Sequence, residues 1–164
     1  MKNNTIGVLF ICLGNICRSP SAQVIFESVV KQNKLSHAFK IDSCGTAPFN
    51  IGKSPDKRAI KACKALGYNI EHLIARQLND EDYGLFDYLI VMDRKNMMSV
   101  KPWQPEDFTG KTELLMHFHP ETTGNMQISD PYQDNESAFL PTMKTIEKAC
   151  LGLFEHIIFA HELN

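Results

Sequence analysis

Nothing in these 164 residues supplies an excess of positive charge: 17 Lys and Arg against 19 Asp and Glu leave a formal net charge of −2. A general field for nucleic acid is therefore excluded, and any anion site has to be local. No apolar run approaches the roughly 18–20 residues that span a membrane. The five cysteines, at 12, 17, 44, 63 and 150, are odd in number and lack the dense spacing of a disulfide scaffold. A reducing, cytoplasmic setting is the expectation. The opening MKNNTIGVLFICLG puts Lys2 before a short apolar run. Gly14, Asn15 and Arg18 interrupt the chain just after that run and no small-x-small cleavage site is present, so it is not read as a signal peptide. Internal repeats, low-complexity tracts and linkers are also lacking, which leaves one domain over residues 1–164.

What is present is ordinary for a globular protein: 43% apolar and 22% charged residues. Ile6–Ile11 is short, rich in branched and aromatic residues and bounded by turn formers, and reads as a strand buried on both faces. Ser19 as N-cap and Pro20 at the first helical position predict a helix to about Lys34, with Ala22, Ile25, Phe26, Val29 and Val30 on its inner stripe. A second strand is expected over Phe39–Cys44. Ser54 and Pro55 repeat the capping pattern before a helix to about Leu66. Asn79, Glu81 and Asp82 mark the acidic start of a short helix. Tyr88–Met92 reads as a third strand and Glu113–Phe118 as a fourth. The last helix, about Ser137–His161, carries Leu140, Met143, Ile146, Leu151, Phe154 and Ile158 at helical spacing. Strands alternating with helices imply an α/β protein: a doubly wound three-layer sandwich on a four-stranded parallel sheet.

The chemistry lies in Cys12-Leu-Gly-Asn-Ile-Cys-Arg18-Ser19, between the first strand and the first helix. Ligands of open α/β sheets bind at the carboxyl ends of strands, where this segment falls. The residues between Cys12 and Arg18 can curl so that their N–H groups converge with the helix N-terminus on a tetrahedral dianion. Arg18 offers a planar fork for two phosphate oxygens. The same field favours a thiolate at Cys12, placed for in-line attack on phosphorus. Gly14 permits tight curvature, and Asn15 tolerates the left-handed conformation. Cys-x5-Arg alone recurs by chance; its place between a buried strand and a capped helix is what makes it informative. A phenolate leaving group calls for an acid, and Asp130, in Ser129-Asp130-Pro131-Tyr132, is the candidate.

These segments resemble the low-molecular-weight protein tyrosine phosphatases, from Ile6 to the final helix. VLFICLGNICRSPSA is similar to the family's signature loop and helix start, and DSCGT (42–46) to its Asp-Ser-Ala-Gly-Thr segment, with Cys44 in place of alanine. SPDKRA (54–59), HLIARQL (72–78), FDYLIVMD (86–93) and DPY (130–132) match further stretches. The resemblance implies a phosphocysteine intermediate on Cys12, phosphate held by Arg18, and Asp130 acting first as acid and then as base for water. It implies substrate contacts from Leu13, Gly14, Asn15, Ile16, Cys17, Ser19, Phe49 and Tyr132. It also implies a hydrogen-bond network of Asn15, Ser19, Ser43 and His72 shaping the loop. Arg58, Asp56, Arg76 and Asp93 are expected to buttress the fold by ion pairing.

Cys17, close to a reactive thiolate, suggests a reversible disulfide with Cys12. No cofactor or metal is implied. His117 and His119 could share a strand face but have no acidic or cysteine partner at ligand spacing. The implied partners are tyrosine-phosphorylated proteins and a tyrosine kinase, with no nucleic acid and no membrane. Gln133 stands where some members carry a second tyrosine.

Three alternatives share part of this pattern. A thioredoxin-coupled arsenate reductase needs a relay of further cysteines, and none lies between Cys63 and Cys150. A protein arginine phosphatase carries threonine where this chain has Ile16. A catalytically silent phosphopeptide-binding module could dispense with Cys12 or Asp130, and both are present.

Overall fold

The protein is described from a computed structural model, over residues 5–121 and 124–164. Its elements run β1 (Ile6–Cys12), α1 (Arg18–Gln32), β2 (Phe39–Gly45), α2 (Lys57–Ala65), α3 (Asp82–Leu85), β3 (Tyr88–Val91), α4 (Arg94–Val100), β4 (Lys111–Leu114) and α5 (Phe139–Ala160). The four strands are all parallel, in the order β2-β1-β3-β4. The chain leaves β1 for β2 on one side and returns to β3 on the other. A crevice therefore opens beyond the carboxyl end of β1, as strand-order reversal requires.

Every residue of β1 is buried, because the sheet is covered on both faces. Alternate side chains serve different cores. Val8 and Phe10 enter the larger one with Ile25, Phe26 and Val29 of α1, Ala59 and Ala62 of α2, and Met143, Ile146 and Phe154 of α5. Leu9 and Ile11 enter the smaller one with Tyr83 of α3, Leu89 and Val91 of β3 and Val100 of α4. Phe26 anchors the first, edge-on to Phe10, Phe39 and Phe154 at centroid distances of 5.5, 5.7 and 6.3 Å. This is the expected doubly wound, three-layer α/β sandwich.

Several boundaries differ from the sequence reading, each for a local reason. Ser19 is not the cap of α1: the helix begins at Arg18, its N-cap residue is Cys17, and no side chain caps it. The cap of α2 is Asp56, whose carboxylate accepts from the Arg58 N–H, rather than Ser54. Helix α4 is absent from the sequence reading; Asp93 and Asn96 close a reciprocal capping box at its start. β4 ends at Leu114, and residues 115–118 form a 3-10 turn, so His117 and His119 do not share a strand face. In α5, Leu151 is exposed while Ala149, Cys150 and Leu153 are buried, because the covered stripe is set by contact with α1 and α2.

Candidate active site

The loop from Leu13 to Cys17 curls over the end of β1, pinned by its surroundings. The Thr46 and Ala47 N–H groups donate to the Cys12 and Leu13 carbonyls at 2.9 and 3.0 Å, tying the loop to the end of β2. The Asp56 N–H donates to the Ile16 carbonyl at 2.8 Å, tying it to α2. Asn15 takes φ of 55°, the left-handed conformation that asparagine tolerates. Gly14 is needed for close approach rather than for unusual φ: a Cβ there would meet Asn50 Nδ2 at 2.6 Å. That amide donates to the Gly14 carbonyl at 3.2 Å, a contact with no local signal in the sequence.

Cys12 Sγ sits at the floor of the curl. The Asn15 N–H donates to it at 3.3 Å, and the Ser19 hydroxyl lies 3.0 Å away. The Ser19 hydroxyl also accepts from Asn15 Nδ2 at 2.8 Å. Asn15 Nδ2 donates in addition to Ser43 Oγ at 3.0 Å, and Asn15 Oδ1 accepts from the Arg76 N–H, also at 3.0 Å. Asn15, Ser19 and Ser43 are thus joined in one buried network, and the asparagine amide has a single satisfied orientation.

His72 stands outside that network, exposed and without a hydrogen bond to any of the three. The Ser43 hydroxyl donates instead to Gln23 Oε1 at 2.7 Å, and Gln23 Nε2 donates to Glu27 at 3.0 Å. Burial pushes the Glu27 carboxyl upward, opposed by the Gln23 hydrogen bond and by nearby His72. Gln23 could have been found from its place on the apolar side of α1, where a polar side chain needs a partner.

Arg18 is 1% exposed. Its Nη1 donates to Asp93 Oδ2 at 2.6 Å and to the Ile128 carbonyl at 2.8 Å, while Nη2 lies 3.4 Å from Asp130 Oδ2. Burial works against its charge, but the Cys12 sulfur, the Asp93 hydrogen bond and Asp130 outweigh it, and the guanidinium pKa lies above its ordinary value. Asp93 therefore does more than brace the fold: it orients the side chain that would grip phosphate. Asp130 Oδ1 accepts from the Tyr132 N–H at 3.1 Å, which fixes the start of a short 3-10 turn over residues 131–133.

Cys12, Leu13, Gly14, Ile16, Cys17 and Arg18 form the floor of a cavity of about 160 Å³, and Phe49, Asn50, Asp130 and Tyr132 form its walls. Asn15, Ser19 and Ser43 lie beneath the floor. Phe49 and Tyr132 are largely exposed aromatic walls.

Arg58 ties the loop that carries Asp130 to the rest. Its guanidinium chelates Asp56 (3.1 and 2.9 Å), donates to the Tyr132 and Asp134 carbonyls (3.0 and 3.3 Å), and stacks on Phe139 at 4.5 Å and Tyr132 at 5.4 Å. Since the Asp56 N–H also holds the Ile16 carbonyl, the loop after Cys12 and the loop carrying Asp130 are joined through this pair. On the sequence expectation that Asp130 is the acid, Arg58→Met is expected to lower kcat on aryl phosphates with poor leaving groups by roughly 10–100-fold, with a much smaller loss on good ones. Arg58→Lys should recover little, because an ammonium cannot bridge these acceptors at once. An equal loss on all leaving groups would reduce Arg58 to a stabilising role.

A sulfur at the floor of an N–H cradle, beside a buried arginine at a strand switch point, defines an α/β protein shaped to receive a phosphate-like oxyanion. Comparison with known proteins narrows the class. The family model described as low molecular weight phosphotyrosine protein phosphatase matches residues 7–162. The pig (Sus scrofa) low molecular weight phosphotyrosine protein phosphatase is 37% identical over 155 residues, 93% of this chain and 96% of that one. A crystal structure of protein tyrosine phosphatase from Entamoeba histolytica, with Hepes in the active site, superposes with a TM-score of 0.88 at 31% identity, covering 96% of this chain and 99% of the other. A Drosophila arginine phosphatase structure superposes with a TM-score of 0.84 at 27% identity, covering 92% and 96%. This chain belongs to the low molecular weight phosphotyrosine protein phosphatase family.

Proposed function

We propose that this chain, read as one domain over residues 1–164, hydrolyses phosphotyrosine in proteins through a phosphocysteine on Cys12. The observation that carries the proposal is the placement of Cys12, Arg18 and Asp130 around a single aromatic-walled cavity. Phosphate oxygens would replace Asp130 as the partner of Arg18 Nη2. The thiolate attacks phosphorus as the P–O bond to the phenol breaks, and Asp130 gives its proton to the departing phenolate. Asp130 then takes a proton from the water that attacks the phosphocysteine, which releases phosphate and restores the thiolate. The Ser19 hydroxyl, 3.0 Å from Sγ, can donate to the thiolate each time it is freed.

A substrate panel tests the reading. Phosphotyrosine and p-nitrophenyl phosphate should be turned over, with phosphoserine far slower because it cannot fill the space between Phe49 and Tyr132. Phosphoarginine should also be poor, since Ile16 gives the cavity floor an apolar side chain. Turnover of phosphoarginine above phosphotyrosine would move the chain to the arginine-phosphatase reading; binding of phosphate with no turnover would make it a silent module.

All five cysteines are buried free thiols, which supports a reducing, cytoplasmic setting. Among the described residues, no helix is long and apolar enough to cross a membrane. The partners proposed are tyrosine-phosphorylated proteins and a tyrosine kinase.

Peroxide is expected to inactivate the enzyme reversibly. It oxidises the Cys12 thiolate to sulfenic acid, and the Cys17 thiol then displaces water to form a Cys12–Cys17 disulfide. Burial, reinforced by Asp56 and Cys12, pushes the Cys17 thiol well above its ordinary pKa, so capture should be slow relative to exposed thiols. Peptide mapping should find the linkage, and Cys17→Ser should lose activity irreversibly where the parent recovers with reductant. Equal recovery of parent and variant would make Cys17 a packing residue only.

A further inference from the structure

The catalytic cavity, about 160 Å³, has room for a ring and a phosphate but not for the chain on either side of a phosphotyrosine. Beyond the ridge made by Leu13 and Asp130 lies a second cavity of about 330 Å³, which shares Leu13, Arg18 and Asp130 with the first. It is lined by polar side chains, among them Lys95, Ser99 and Gln127. Thr46 and Ser99 lead from it into a third, of about 210 Å³, that ends at Trp103. The three form one valley from Cys12 to Trp103.

We infer that this valley seats one flank of the phosphotyrosine substrate, with an acidic side chain beside Lys95 and an apolar one against Trp103. The inference rests on the phosphotyrosine reading above. Continuity with the catalytic cavity names the occupant: a chain leaving the cleft between Phe49 and Tyr132 over Leu13 and Asp130 enters the second cavity, which those residues also line. Charge names its chemistry. Asp93 is engaged by Arg18, and Asp130, once phosphate takes Arg18 Nη2, is committed to the leaving-group oxygen, whereas no ion pair among the described residues uses Lys95. The near half therefore presents a cation free for a carboxylate. At the far end, Trp103 is 74% exposed on a short turn stiffened by Pro102, with Met98 75% exposed on α4 before it. A rigid, exposed tryptophan is the residue type that anchors interfaces. Asp80, which lines the far half, disfavours a second acidic residue there.

Trp103 is the only tryptophan in the chain, so its emission reports the far end of the valley directly. In the Cys12→Ser variant, which retains the cradle, a phosphotyrosine peptide with acidic and then apolar residues on one side is expected to shift Trp103 emission on binding. Phenyl phosphate should bind without the shift, and peptides extended to the other side should behave like phenyl phosphate. In the active enzyme, Lys95→Glu and Trp103→Ala should each lower the ratio of kcat/KM for the flanked peptide to that for p-nitrophenyl phosphate by roughly tenfold, the effect of losing one anchoring contact. If p-nitrophenyl phosphate and the peptides are hydrolysed but flanks change neither the ratio nor the emission, the valley is not a substrate groove and the phosphotyrosine reading stands. An emission shift as large with phenyl phosphate would also overturn the groove, since it would report the catalytic cavity alone. If phosphotyrosine is not hydrolysed in any form, the functional reading itself fails and the groove with it.

Discussion

Cys12→Ser is expected to lower kcat by roughly 10⁴–10⁶-fold, the range seen when other covalent hydrolases lose their nucleophile. The size reflects what surrounds the sulfur. Its hydrogen bonds are with the Asn15 N–H and the Ser19 hydroxyl, which stabilise a thiolate but cannot take a proton from a serine hydroxyl. No histidine or carboxylate bonds to this position among the described residues, so a serine there would have no base to activate it. The anion site should survive, because Arg18 is held by Asp93 and the Ile128 carbonyl independently of the sulfur. Phosphate or vanadate should still bind the variant in a calorimetric titration while p-nitrophenyl phosphate turnover vanishes. Steady-state activity within tenfold of the parent would remove Cys12 from the nucleophile role.

Asp130→Asn should slow phosphotyrosine hydrolysis by roughly 10²–10⁴-fold. The carboxylate is partly exposed at the cavity wall, with Oδ1 held by the Tyr132 N–H and Oδ2 facing Arg18. A bound phosphate dianion would take over Arg18, leaving Oδ2 to meet the leaving-group oxygen. Asparagine keeps the turn geometry but has no acidic proton to give. The loss should shrink as the leaving group becomes more acidic and needs less help. A loss of equal size on every leaving group would assign the acid to another residue.

These predictions depend on features of two kinds. The strand-loop-helix unit from Ile6 to Val30 is local, and its signals suffice for everything but the cap of its helix. A buried run sets β1, Gly14 and Asn15 allow the curl, and an apolar stripe at helical spacing sets the covered face of α1. Where a neighbour competes for a side chain, local signals mislead. Ser19 has the chemistry of an N-cap, but the end of β1 brings Cys12 within reach of its hydroxyl. Ser54 has the same chemistry, but Asp56 takes the cap of α2 because Arg58 holds its carboxylate. The capping box of Asp93 and Asn96 has the spacing of a helix start, but seven-residue α4 has no long apolar stripe to announce it.

Residue types and their order along the chain determined the fold class, the oxyanion cradle and the family. Buried strands demand cover on both faces, and a left-handed asparagine before a helix start leaves few shapes for the loop between them. Only the tertiary structure decided what stands around the cradle. Arg18 and Asp93 lie 75 positions apart, Arg18 and the Ile128 carbonyl 110, and Arg58 and the Tyr132 carbonyl 74. It put Gln23 rather than His72 behind Ser43, because α1 presents that side chain to β2 while His72 remains at the surface. Such contacts have no period and no local propensity. They exist because parallel strands place their carboxyl ends at one edge, where the loops after β1 and β3 and the turn before α5 must meet.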